Sequence, residues 1–159
     1  FAYIHASHLI EHIPHELRLD HQLLQISSPD APTYRARYDR VAACLDGFFA
    51  FFAECWRVLQ PGGTIWCNVP YGLSWAALRD PTHTRLIVPD TIAYLINAAG
   101  TTFDYQLPFR FSLIGEIGFI PYPEYNGMPV EELVERANHF FNIIYSFSWT
   151  LRKEPLYDT

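Results

Sequence analysis

Long apolar runs are missing from these 159 residues, and so is charge in quantity. No stretch approaches the roughly 20 consecutive apolar residues that a bilayer-spanning helix needs, and no basic-then-apolar leader opens the chain. The sequence therefore reads as a soluble, cytoplasmic protein without membrane partners. Charged residues make up only 18%, and Asp plus Glu exceed Lys plus Arg by 17 to 11, which argues against general nucleic-acid binding. Half of the residues are hydrophobic and 16% are aromatic, a composition that excludes disorder and fills the core of one ordinary domain. Cysteine is scarce: Cys44, Cys55 and Cys67 form an odd set without CxxC spacing, which speaks against a disulfide framework or a thiolate zinc site and fits a reducing compartment. Glycine is sparse as well, and none of the eight forms a GxGxxG after a strand. The first residue is Phe1 rather than Met, already inside an apolar run, so the N-terminal part of a longer protein is expected to be missing.

What is present alternates between strand and helix patterns. Phe1 to Ala6, FAYIHA, is apolar on both faces apart from His5, the pattern of an interior strand in a parallel sheet. It runs through Ser7-His8 into Leu9-Ile10-Glu11-His12-Ile13-Pro14, where Pro14 limits any helix to about a turn. From His15 to Thr33, charged residues and the SSPDAP cluster predict a surface loop, either a lid or an insertion. Between about Tyr34 and Leu59 apolar residues such as Tyr38, Val41, Phe48, Phe52, Cys55 and Trp56 recur at helical spacing, with a bend or split at Gly47. Pro61-Gly62-Gly63 stops that helix, and Thr64 to Val69 predicts a second buried strand ended by Pro70. Strand, helix, turn and strand in this order form a βαβ unit with parallel strands.

Pro89, Asp90, Ile92, Leu95, Ile96 and Ala99, with Gly100 just beyond, signal a second helix. Alternation then predicts a third strand with Phe103, Tyr105, Leu107, Phe109 and Phe111 on one face. Gly115 to Pro129 reads as a loop, Val130 to Phe141 as a helix, and Ile143 to Leu151 as a last strand with an antiparallel partner. There is no internal repeat.

Three segments in order, ASHLIEHIP (Ala6 to Pro14), ECWRVLQPGGTIWCNVP (Glu54 to Pro70) and DPTHTRLIVPDTIAYL (Asp80 to Leu95), resemble class I S-adenosylmethionine-dependent methyltransferases with SHxxEHxP and RVLxPGG motifs. The resemblance implies an α/β, partial Rossmann-like sheet with strands in the order 4-5-7-6, the last strand antiparallel, and flanking helices. Residues 1–159 would be a single domain, the C-terminal part of a truncated methyltransferase domain. Its absent strands 1 to 3, roughly 90 residues at about 30 per strand-helix unit, would carry the main cofactor loop. The implied cofactor is S-adenosylmethionine and the implied acceptor a small molecule or another substrate.

In open α/β sheets ligands sit beyond the carboxyl ends of the strands, which places Ala6, Ser7 and His8 after the first strand and Asn68, Pro70 and Tyr71 after the second at the mouth of a site. By resemblance, Ala6, Ser7 and His8 would border the cofactor's methionine end. Asn68, Pro70 and Tyr71, with His83 and Arg85 from the following loop, would face the acceptor. His8 is the leading base or orienter, with Glu11 and His12 of the same motif as further catalytic candidates. Each has a plain structural alternative: Glu11 as a local pairing carboxylate, and Asp80, His83 and Arg85 as groups that fix their own loop.

His8 to His12 also fits HxxEH, a zinc-peptidase pattern that needs both histidines one helical turn apart. The strand immediately upstream, Pro14 downstream and the lack of an obvious third ligand count against it. A subset of methyltransferases holds a divalent cation at an equivalent ExxEH; His8 in place of the first carboxylate disfavours a hard ion such as Mg²⁺. No metal ligand is assigned, and His5, expected to point into the sheet, is read with His15 as structural or surface histidine. The alternative class is a non-catalytic interaction module built on the half fold. In either case loss of strands 1 to 3 would expose the first strand as an apolar edge open to self-association.

Overall fold

The computed structural model describes residues 1–15, 47–96, 107 and 109–155. It is a mixed α/β arrangement of one four-stranded sheet with flanking helices. The strands are β1 (Tyr3–Ser7), β2 (Thr64–Pro70), β3 (Phe111–Pro121) and β4 (Ile144–Lys153), in the spatial order β1-β2-β4-β3. β1 and β2 are parallel, in register from Tyr3 opposite Thr64 to Ser7 opposite Asn68, as a βαβ unit requires. β4 is antiparallel to β2 on one side and to β3 on the other.

Among the described residues four helices flank the sheet: α1 (Gly47–Val58), α2 (Trp75–Leu78), α3 (Thr91–Leu95) and α4 (Val130–His139). The helical spacing of Phe48, Phe52, Cys55 and Trp56 gives α1 one buried face. Phe52 is fully buried and meets Phe111 of β3 edge-on at 6.2 Å between centroids. Phe147, also fully buried, stacks on Trp149 at 5.1 Å. Burial of each such phenylalanine contributes about 1.5–3 kcal/mol. Beyond α1, the Gly63 amide bonds the Gln60 carbonyl at 2.9 Å, and Gly62 takes the left-handed φ of 71° that the reversal needs. Lys153 then locks the end of β4 to the end of α1: its Nζ donates to the Leu59 carbonyl at 2.6 Å and lies 4.2 Å over the Trp56 ring.

Several expected boundaries move. The first strand is Tyr3–Ser7 rather than Phe1 to Ala6, and it is a border of the described sheet, not a strand buried on both faces. Phe1 and Tyr3 are exposed at 78% and 52%, and only Ala6 is buried in β1. His5 is exposed rather than inward-facing, with its ring 4.5 Å from that of Trp66. The third strand lies at Phe111–Pro121, so the first half of the expected Gly115–Pro129 loop is strand. Its glycines misled the pattern: the ladder slips register between Ile114 and Gly118, and Gly115 sits there at φ 68°, the signature of a bulge. Most of the expected strand from Phe103 lies outside the described residues, as do the His15–Thr33 loop beyond His15 and the helical pattern from Tyr34 to Asp46. No described helix is long and apolar enough to cross a membrane.

Candidate functional site

The site is built where β1 and β2 end. The His8 amide donates to the Asn68 carbonyl at 3.0 Å, continuing the parallel ladder by one step, and His8 then turns with φ 49°. Left-handed backbone is costly for a residue with a Cβ and here reverses the chain out of the sheet. A single 3₁₀ turn, Ile10–His12, follows. Ile10 is fully buried and anchors it, and the Ile13 carbonyl accepts from Thr84 Oγ1 at 2.7 Å and from Arg85 at 3.0 Å. Pro14 comes directly after this turn, so HxxEH does not lie on a helix and the zinc-peptidase arrangement of its two histidines is absent.

The turn forces Glu11 inward. Its side chain is 3% exposed, and among the described residues neither carboxylate oxygen accepts a hydrogen bond; His8 Nδ1 lies 3.4 Å from Oε1. Burying a carboxylate without hydrogen bonds costs several kcal/mol, so an orphan of this kind asks for a partner. His8 is half exposed, at 50% for the side chain, and faces this carboxylate from the solvent side.

The loop after β2 closes over the same spot. Gly72 allows it: an added Cβ would stand 2.9 Å from the Ile87 carbonyl oxygen, the group that the Gly72 amide bonds at 2.8 Å. Ser74, fully buried, caps α2 by accepting from the Ala77 amide at 3.2 Å. The Ala77 carbonyl, at the end of this four-residue helix, accepts from His83 Nδ1 at 2.7 Å. Thr82 binds Asp80 through both its amide, at 2.9 Å, and its hydroxyl, at 2.7 Å, and these two bonds hold the Asp80 carboxyl below its ordinary value. The same hydroxyl lies 2.9 Å from His12 Nδ1. The Thr84 amide donates to the Glu11 carbonyl at 2.8 Å, and His15 Nε2 donates to the Thr84 carbonyl at 3.0 Å. Glu11, His12 and His83 thereby each bring one ligand-type atom within 4.8 Å of the others.

The sequence-derived residues divide into two groups. His8, Glu11, His12 and His83 converge, with Ser7 exposed beside them and Ala6 buried at 1%. Asn68, Pro70 and Tyr71 are buried: Asn68 Nδ2 donates to the Phe147 carbonyl at 3.2 Å, and the Tyr71 ring packs edge-on against Phe147 at 6.0 Å. Burial, then the nearby Asp90 charge, raises the Tyr71 hydroxyl above its usual range. Arg85 lies over the Phe48 ring at 5.4 Å as well as on Ile13. Among the described residues a cavity of about 360 Å³ opens beside His12, lined chiefly by Leu9, Ile13, Ala50 and Phe51. Thr82 was not singled out in the sequence, although Asp-x-Thr is the spacing of a side-chain-closed turn and marks it.

No family model matches the chain, and no curated protein matches it. Among solved structures, it is similar to the crystal structure of a SAM-dependent methyltransferase from Archaeoglobus fulgidus, at a TM-score of 0.49 and 18% identity. The match covers 96% of this chain and 59% of that one, so the chain spans about three fifths of the neighbour's length.

Proposed function

We propose that residues 1–159 form the acceptor side of a class I S-adenosylmethionine-dependent methyltransferase, with strands 1 to 3 of the sheet supplied by polypeptide outside this sequence. The observation that carries the reading is the convergence of His8, Glu11, His12 and His83 at the carboxyl ends of two parallel strands, where ligands of open α/β sheets bind. The position of β4, between β2 and β3 and antiparallel to both, supports it, because a sheet in the 4-5-7-6 order implied by the resemblance would have its last strand in that place.

In this reading the exposed Ser7 and His8 border the methionine end of the cofactor, with the buried Ala6 holding the strand end behind them, and the acceptor enters from the side of the Asp80–Arg85 loop. S-adenosylmethionine, when bound, would supply an activated methyl group and leave as S-adenosylhomocysteine. His8 takes the acceptor proton, and Glu11, beside its Nδ1, orients the ring. Asn68, Pro70 and Tyr71 keep the two strand ends in place rather than touching the acceptor, since all three are buried.

Two measurements test this. Calorimetry of the 159-residue chain with S-adenosylmethionine is expected to give weak binding, because the glycine-rich loop lies on the absent strands; tight stoichiometric binding would contradict that division. Methyl-labelled cofactor supplied to the intact gene product is expected to label an acceptor, with His8→Ala slowing transfer about 10²–10⁴-fold. An intact product that neither binds the cofactor nor transfers label would favour the alternative, a non-catalytic interaction module.

A further inference from the structure

The hydrogen bonds around His12 and His83 fix which nitrogen of each ring carries the proton. The Ala77 carbonyl only accepts, so His83 Nδ1 is the donor of the 2.7 Å bond, and Nε2 is the nitrogen not engaged in it. Thr82 Oγ1 has one hydrogen, and it goes to Asp80 Oδ1 at 2.7 Å, a carboxylate oxygen that only accepts. Toward His12, 2.9 Å away, the same hydroxyl is therefore the acceptor, so His12 Nδ1 donates to it and Nε2 takes no part in that bond. Each ring is thus held in orientation by its donated Nδ1–H, which leaves Nε2 as the nitrogen that can serve as a donor atom toward a cation. This is the support that metal-ligating histidines receive: a carbonyl for one, a hydroxyl backed by a carboxylate for the other.

The third member is Glu11, whose carboxylate is nearly completely buried and, among the described residues, accepts no hydrogen bond. One ligand-type atom from each of Glu11, His12 and His83 lies within 4.8 Å of the others. His83 is itself only 8% exposed, so two of the three ligands are withdrawn from bulk water. Asp80 Oδ2, 3.8 Å from His83 Nε2, adds a second negative charge beside the set.

We propose that Glu11, His12 and His83 form a binding site for a divalent first-row transition cation of the zinc class, with Thr82 and Asp80 as positioning residues behind His12. Two imidazoles and one carboxylate suit Zn²⁺, Co²⁺ or Fe²⁺ and leave open positions for an exogenous oxygen or nitrogen ligand. Mg²⁺, which demands oxygen donors, is a poor fit. The site shares Glu11, His12 and His83 with the methyl-transfer reading, but its test reads metal binding alone, so failure of either leaves the other distinguishable.

The test is calorimetry of the metal-stripped 159-residue chain with Zn²⁺ and Mg²⁺, alongside visible absorption with Co²⁺. One equivalent of Zn²⁺ is expected to bind, Co²⁺ to give the bands of a low-symmetry nitrogen–oxygen site, and Mg²⁺ to give no saturable heat. Glu11→Gln keeps the side-chain shape and is expected to weaken Zn²⁺ binding by about 100-fold or more, while His5→Gln, on the exposed edge of β1, leaves it unchanged. Thr82→Val is expected to weaken it about 10–100-fold and Thr82→Ser to restore it. Circular dichroism of the metal-free variants checks their folding, and His83→Gln serves as a second ligand variant. Absence of stoichiometric Zn²⁺ binding would overturn the proposal, as would affinity that Glu11→Gln and Thr82→Val leave unchanged, which would mark the binding as adventitious.

Discussion

The amide of His8 donates to the carbonyl of Asn68 across 3.0 Å, so the one strained residue of the site is hung from the end of β2. The left-handed φ of 49° is held by that bond and by the buried Ile10 beyond it. His8→Val is expected to destabilise the fold by about 1–2 kcal/mol, because a β-branched residue tolerates this backbone worst. His8→Gly is expected to be neutral or stabilising by roughly 0.5 kcal/mol. Urea unfolding of the two variants checks the difference; equal losses would mean that the backbone stores no strain there.

Gly72→Ala is expected to cost about 1–3 kcal/mol, because the added carbon meets the Ile87 carbonyl at 2.9 Å and Val88 Cγ1 at 3.1 Å. Gly118→Ala is the control. Its new carbon meets only the Ser148 hydroxyl, which can rotate away, so the loss should stay below about 1 kcal/mol. Thermal unfolding measures both.

The Asp80 carboxyl is held below its ordinary 3.8, first by the Thr82 hydroxyl and then by the Thr82 amide. The folded state therefore binds this proton less tightly than the unfolded state. The contribution of this carboxylate to stability is fully present above the ordinary value and is lost as pH falls through the lowered folded one. A carboxyl-carbon NMR titration should find Asp80 titrating below 3.8, with Thr82→Val moving it back up.

The exposed ring of Tyr3 and the outer side of β1, which pairs with no strand among the described residues, lead us to expect self-association of the 159-residue chain by strand pairing. Sedimentation velocity over a dilution series should show a concentration-dependent dimer that Tyr3→Lys reduces. A monomer at every concentration would rule the edge out as a contact.

Much of this architecture was readable in advance because its signals are local. Phe48, Phe52 and Trp56 repeat with the helical period, and Pro61-Gly62-Gly63 punctuates the crossover to β2. β3 was misplaced because Gly115 and Gly118 look like loop residues when their role is to let a strand bulge. The site was half legible. His8, Glu11 and His12 lie within five residues of one another, but their relation to His83 depends on a loop folding back 71 residues later. Nor does any sequence period reveal that Glu11 is buried, since that follows from one 3₁₀ turn anchored by Ile10.

β4 occupies an interior place in the sheet although it is the last of the four strands to be synthesised. On the ribosome, β2 and β3 each wait with an open flank until Ile144–Lys153 has emerged, so the pocket-bearing half cannot lock before translation of this stretch is complete. A stalled or prematurely stopped chain that lacks this strand would display two apolar ladders at once, making it a natural client for chaperones.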